Sequence, residues 1–359
     1  MWADVYKKEF EQIRKMIAKA DNKVIVQHRD VDGTCSAAII KKFLDFDVIA
    51  IRDPRLDEKL MKELVKKKPD AILFLDVAID RYKDEFKFLQ KQLPNCNMVL
   101  LDHHPISNDL NKIGILHINP RFQDAESYVP TSRMAFDLMK SFGYKTDDSM
   151  WISAIGVISD YGHKTNPDFM EKSNKLYPRL LKGKDIFDTK LGKASKTMYA
   201  AIILKGDYGV KYVTDVLLNA KSFSDFESSK EINGWSATVE KEIKLVMDDF
   251  EKKKEIVQHI VFYELKTELG LTSIIANIIS EKYPDKVIII YKRAEKETKI
   301  STRSQKSIEA RSKKPVDLSV VIPKAVEGIG TGGGHPQSSG AIVSDFSLFK
   351  KRLVKLVNG

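Results

Sequence analysis

Over the first 104 residues, four short apolar runs alternate with charged stretches of helical period. The runs are KVIVQHRD, DVIAIRDP, AILFLDVAID and NMVLLDHHP; GTCSAAIIKKFLDF, LDEKLMKELVKKKPD and DRYKDEFKFLQKQL lie between them. Such alternation implies right-handed crossovers and a parallel sheet with helices on its faces. AILFL carries no polar break, as expected of a strand buried on both sides. Gly33 marks the turn into the first of these helices.

The pattern then changes twice. From about 130 to 255 the apolar positions keep a helical period, as they do over residues 1–20. SATVEKEIKLVMDDFEKKKEIVQ reads as one long charged helix bridging two domains. Beyond it HIVFYEL, KVIIIYKRA and TKISTRS read as strands, LTSIIANIISEKYP as a helix, and FSLFKKRLVKLV as a closing helix. The expected fold class is therefore α/β. A parallel-sheet domain occupies 1–190, a helical linker 191–255, and a smaller C-terminal α/β domain 256–359. A length of 359 residues with 43% hydrophobic and 31% charged suits two soluble domains.

No apolar run reaches the roughly 18 residues of a membrane span, so no membrane association is expected. The N-terminus lacks the apolar core of a secretory signal. Cys35 and Cys96 cannot frame a disulfide scaffold and point to a reducing, cytoplasmic setting. A net charge of +10 favours a polyanionic partner, although solvated lysine accounts for charge alone equally well.

The acids carry more information. His28, Asp30 and Asp32 follow Val24–Val26; Asp76 follows Ile72–Leu75; Asp102, His103 and His104 follow Val99–Leu101. In a parallel sheet, ligands bind beyond the carboxyl ends of the strands. Three strands thus deliver carboxylates and imidazoles to one edge, and Asp160, after Ile152–Ile158, is a further candidate. A lone strand-end Asp is more often a helix cap, but this joint placement makes coincidence a poor explanation. Crowded carboxylates repel, and divalent ions relieve that repulsion. An O/N ligand set without thiolate suits Mn²⁺ or Mg²⁺, with Co²⁺, Zn²⁺ or Fe²⁺ admissible. Asp76, on the central run, is the expected bridge between two ions.

HRDVDG, LFLD, LDHHP and ISDYG, in this order, resemble the four motifs of the DHH phosphoesterase superfamily, and TGGGHPQSSGA resembles the glycine-rich motif of its associated C-terminal domain. The resemblance spans essentially the whole chain. It implies an N-terminal parallel-sheet DHH domain, a helical linker and a DHH-associated domain. It also implies that His28, Asp30 and Asp76 hold one metal, and that Asp32, Asp76, His103 and Asp160 hold the other, with Mn²⁺ preferred. Asp102 would orient an imidazole and His104 would face the phosphate, as the catalytic pair. Arg303, Gly332, Gly333, Gly334 and His335 would bind substrate phosphate.

His28 lies two residues before Asp30, closer than in the pyrophosphatase pattern, which favours the RecJ-like members. A RecJ-like exonuclease on single-stranded DNA or RNA is the leading expectation, with replication or repair proteins as partners. The lysine-rich stretches 66–68, 252–254 and 311–314 favour a polymer. The compact two-domain form equally suits enzymes of short oligonucleotides, pAp or cyclic dinucleotides. An inactive replication scaffold is the remaining alternative, disfavoured because every motif acid is present. His117, Asn119 and Arg121 in HINPRF, Thr131, Ser132 and His163 are weaker candidates for the site; His259 is expected to be structural, in an apolar strand. Trp2, Trp151 and Trp235 show no stacking pattern.

Overall fold

In a computed structural model, residues 2–305 and 316–358 are described. The basic stretch 311–314 lies outside them. The chain divides into two compact units, Met1–Ser236 and Ala237–Gly359.

The first unit is built on strands β1 (Lys23–His28), β2 (Asp47–Ile51), β3 (Ala71–Leu75), β4 (Asn97–Leu101) and β5 (Leu116–Ile118). All pair in parallel, in the order β2-β1-β3-β4-β5. Alternation along each strand feeds two cores. Ile25, Leu73, Leu75, Val99 and Leu101 pack with helices Val31–Lys41, Thr131–Ser141 and Met150–Ser159. Val24, Val26, Ile72, Phe74 and Leu100 pack with Leu60, Leu64, Phe86 and Leu89 from helices Glu58–Lys67 and Lys83–Gln92. β3 is buried throughout, as its unbroken apolar run requires. The chain leaves β1 for β2 on one side and returns across it to β3 on the other. That reversal opens a crevice at the carboxyl ends of β1 and β3, the usual ligand position in such sheets.

The second unit holds β6 (Glu255–Val257), β7 (Ile260–Glu264), β8 (Val287–Arg293), β9 (Thr298–Ser304), β10 (Gly330–His335) and β11 (Ser338–Val343). They form a mixed sheet in the order β10-β11-β9-β8-β7-β6, with only β7 and β8 parallel among the described pairs. Helices Leu318–Val326 and Phe346–Asn358 cover one face through Ile322, Phe349 and Leu353. No described helix is long and apolar enough to cross a membrane.

Several local expectations are corrected. The long charged helix stops at Lys253, and Glu255–Val257 becomes an edge strand. His259 sits exposed in the turn after it, not within an apolar strand. Residues 1–20 form two helices, Trp2–Val5 and Lys7–Ala18. Lysine stretches 66–68 and 252–254 terminate helices, where cations meet the negative dipole end. Lys67 pairs with Asp47, Lys253 with Asp249 and Lys254 with Glu251.

Candidate metal centre

β1 ends on His28, and two residues later Asp30 caps the helix Val31–Lys41. One Asp30 oxygen accepts the Gly33 N–H at 2.9 Å; the other lies 2.7 Å from His28 Nδ1. The capping role and the site role thus coexist in one side chain. A Cβ on Gly33 would lie 2.4 Å from the His28 carbonyl, so glycine is what lets this helix start against the strand end.

Asp32 lies in the first turn of the same helix and is buried. Its oxygens accept the N–H groups of Thr131 at 2.7 Å and Ser132 at 3.1 Å, from the start of helix Thr131–Ser141. Those N–H groups have no partner within their own helix, and the helix dipole favours an anion there. From the other side comes Gly156, in helix Met150–Ser159. A Cβ on it would fall 2.3 Å from Ser132 Oγ and 2.8 Å from Asp32 Oδ1.

Asp76 directly follows β3, with φ 61°. Left-handed backbone costs about 1 kcal/mol or more outside glycine, least for Asp and Asn, and is held only where its surroundings enforce it. Here the Asp76 N–H donates to the Leu101 carbonyl at 3.1 Å. The buried carboxylate then stands between two imidazoles: Oδ2 is 3.7 Å from His28 Nδ1, and Oδ1 is 3.2 Å from His103 Nε2. His103 Nε2 is also 3.4 Å from Asp160 Oδ2. Asp160 arrives at the end of helix Met150–Ser159, and the Tyr128 hydroxyl donates to it at 2.6 Å. The Tyr128 ring also packs edge-on against His103. Asp102 Oδ1 is 2.8 Å from His104 Nδ1.

Three sets of ligand-capable atoms result, each within 4.8 Å: His28, Asp30 and Asp76; Asp32, His103 and Asp160; and Asp76, Asp102, His103 and His104. Asp76 Oδ2 and both His103 ring nitrogens are buried without a hydrogen-bond partner. Asp76 Oδ2 and His103 Nε2 face opposite charges at 3.7 Å and 3.2 Å, close yet out of hydrogen-bonding geometry, as atoms directed at an ion would be. Five carboxylates with neutral imidazoles would nearly balance two divalent ions. The residues present therefore fit such ions.

Without metal, protons share the work. Burial opposes charge on His28 and His103, but Asp30 and Asp76 raise His28 to about 11, and Asp76 and Asp160 raise His103 to about 10. Burial would raise Asp76 too; the His103 and His28 imidazoles outweigh it and hold it below the usual carboxylate range. Burial, then the Asp76 and Asp160 charges, push Asp32 well up. Burial leads the rise of Asp160 to about 6. Burial lowers His104, but Asp102 prevails and its net shift is upward.

The weaker candidates hold the frame. Arg121 Nε donates to the His103 carbonyl at 2.9 Å and Asn119 Nδ2 to the His104 carbonyl at 2.9 Å, pinning the loop after β4. His117 is buried in β5 against Phe122. His163 packs against Phe187 and belongs to none of these ligand sets. Sequence reading missed Tyr128 and Gly156. Gly156 had a signal, an isolated glycine inside an apolar helix. Tyr128 lies in an irregular loop and had none.

In the second unit the glycine motif forms the edge strand of a hairpin, turning at Pro336–Gln337. Arg303, Ser338 and His335 are aligned across β9, β11 and β10, so their side chains share one face. Gly333 lies two residues from His335 on that face, with nothing within 4 Å of where a Cβ would sit. Gly332 faces the other way, against Ile322, and Gly334 has φ 148°. Arg303 donates to Asn277 Oδ1 at 2.5 Å and to the Thr302 carbonyl at 2.8 Å.

Comparison with known proteins bears on the family and the fold. An uncharacterized protein of Methanocaldococcus jannaschii is 22% identical over 414 residues, spanning 93% of this chain and 92% of its own. A DHH domain described as belonging to a family of ribosomal proteins superposes with TM-score 0.76 at 15% identity, covering 98% of this chain and 89% of that one. RecJ of Thermus thermophilus, solved with Mn²⁺, superposes with TM-score 0.74 at 14% identity, covering 97% of this chain but 54% of RecJ. Residues 22–158 match the DHH family N-terminal domain and residues 255–359 the DHHA1 domain. With both domain models matched in order and the same fold in solved relatives, the chain belongs to the DHH superfamily of phosphoesterases.

Proposed function

We propose that the chain is a metal-dependent phosphodiesterase, acting as a RecJ-like exonuclease on single-stranded DNA or RNA with two divalent ions, Mn²⁺ preferred over Mg²⁺ or Co²⁺. The observation that carries this reading is the Asp76 carboxylate, with one oxygen toward His28 and the other toward His103. His28, Asp30 and Asp76 would hold one ion, and Asp32, Asp76, His103 and Asp160 the other. When bound, such ions supply an activated water and a positive clamp for phosphoryl oxygens.

The chain's own groups do the rest. Tyr128 steadies Asp160, and two backbone N–H groups fix Asp32. Asp102 orients His104, whose ring is partly exposed and whose upward shift favours a donor form. His104 is thereby suited to donate to a phosphoryl oxygen as charge develops. Arg303, Ser338, His335 and the open Gly333 backbone would hold a substrate phosphate, arginine offering the planar fork that suits it. Net charge +10 supports a polyanionic, polymeric substrate, and replication or repair proteins are its proposed partners.

The test is one assay: end-labelled DNA and RNA of roughly 3 to 30 nucleotides, beside pAp and cyclic dinucleotides, with Mn²⁺. Stepwise release of nucleotides from the longer strands is expected. Hydrolysis confined to the shortest oligomers or to dinucleotides would replace the exonuclease by a small-substrate phosphodiesterase. No hydrolysis of any of them would leave a scaffold.

A further inference from the structure

Two stretches of the first unit bring Asp32 and Asp160 to the candidate centre. Residues 128–133 carry Tyr128, whose hydroxyl donates to Asp160, and the Thr131 and Ser132 N–H groups that hold Asp32. Residues 160–168 carry Asp160 itself. The two stretches are clasped side by side. Asn166, only 1% exposed, donates through Nδ2 to the Tyr128 carbonyl at 3.0 Å and to the Gly162 carbonyl at 2.8 Å. Its Oδ1 accepts from Arg133 Nη1 at 2.8 Å. Thr165 Oγ1 donates to the Tyr128 carbonyl as well, at 3.1 Å. Gly162 lies directly against Pro130, where a Cβ would fall 2.3 Å from Pro130 Cγ.

Arg133 extends the clasp. Its buried guanidinium meets both Asp168 oxygens, at 2.9 and 2.6 Å, and lies 5.4 Å from the Phe169 ring centre. Both ends of the Asn166 amide are engaged, so moving it would strand buried polar groups. What the clasp joins gives it a role beyond packing. Asp32 and Asp160 form one ligand set with His103, and the two clasped stretches fix them both. The set of His28, Asp30 and Asp76 comes instead from β1, the helix start after it and the end of β3. The clasp reaches that set through a long contact from Thr131 Oγ1 to Asp76, at 3.4 Å.

We propose that Asn166 and Arg133 are positioning residues, which set the spacing of Asp32 and Asp160 and so the grip on the ion these acids share with His103. The assignment rests on the two-ion reading and makes it unequal: one ion is tuned from outside its ligands, the other is not. It is tested by calorimetric titration of the metal-free whole chain with Mn²⁺. Asn166→Asp keeps the acceptor for Arg133 but sets a carboxylate against the Tyr128 and Gly162 carbonyls. One ion should then bind about 10- to 100-fold more weakly, as when groups that orient ligands are lost, and the other nearly as before.

Tyr128→Phe, which removes the hydroxyl on Asp160, should loosen the same ion. The two changes together should cost less than their product, because both act on Asp160 through one chain of contacts. In an Asp160→Asn background, adding Asn166→Asp should leave the remaining ion undisturbed. Asp168→Ala guards against a variant that fails to fold: Asp168 is 50% exposed, and its loss frees Arg133 from the solvent side. It should weaken the same ion several-fold. Equal weakening of both ions, a double variant that costs the full product, or unaltered Mn²⁺ binding in Asp168→Ala would overturn the positioning role and leave the two-ion reading standing. A wild-type chain that binds fewer than two ions would sink that reading, and the clasp's role with it.

Discussion

The two units of this chain treat their polar residues in opposite ways. In the first, five carboxylates and three imidazoles converge, and several of their atoms are buried without hydrogen bonds. In the second, Arg303 is engaged by Asn277 and Thr302, and the glycines lie along an edge strand. Buried and unsatisfied groups are costly, so their retention points to an occupant. A half-exposed arginine beside an empty strip of backbone carries no such cost. The phosphate proposed for it would be met without the fold depending on one. The first unit should therefore respond to metal, and the second to substrate alone.

The largest effect should follow Asp76→Ala. It removes the carboxylate proposed to bridge the two ions, and Mn²⁺-dependent hydrolysis should fall by about 10³-fold or more. Calorimetry should show fewer than two ions bound; a variant that keeps both would break the bridging assignment. Next is pH. His28 and His103, at about 11 and about 10 without metal, are cationic at neutral pH and must shed protons to ligate. Mn²⁺ uptake at pH 8 should release protons, seen as buffer-dependent heats, and affinity should weaken as pH falls. The metal-free fold should do the reverse. Both imidazoles are raised above the ordinary value near 6.5, so their stabilisation is complete below it and is lost as pH rises toward 10 and 11. A metal-free melting temperature that instead climbs over that range would contradict the ion pairing.

Arg303→Ala sharpens the contrast. KM should rise by about 10- to 100-fold, while metal stoichiometry stays the same. Loss of metal would place Arg303 in the wrong role. Gly156→Ala should destabilise by roughly 1–3 kcal/mol, because its Cβ would press Ser132 and Asp32. It should also weaken Mn²⁺ binding, and a neutral result would mean that the helix shifts easily. Gly333→Ala should have the smallest effect on folding, within about 0.5 kcal/mol, since the site of its Cβ is open. If that face receives phosphate, KM should still rise several-fold.

Legibility in the sequence followed the range of the interactions. Strands β1, β3 and β4 and their terminal acids were readable because an apolar run and the residue that ends it are neighbours in the chain. β5 was missed, being only three residues long and running directly into Asn119-Pro120, a turn signal. The hairpin β10–β11 was missed because glycine carries no strand preference of its own; pairing with β9 makes the strand. Trp235 seemed unpartnered until helix Asp207–Asn219 brought two tyrosines to it.

By itself, then, the sequence determined a parallel sheet whose carboxyl edge gathers acids and imidazoles, since run lengths and their punctuation specify strand ends locally. Only the tertiary structure decided which oxygen meets which imidazole. Asp76 faces His103, Asp32 receives the amides of Thr131 and Ser132, and Gly156 clears the space between them. Those partners lie tens to more than a hundred residues apart in the chain. No local pattern encodes such meetings; packing of the helices on the sheet sets them.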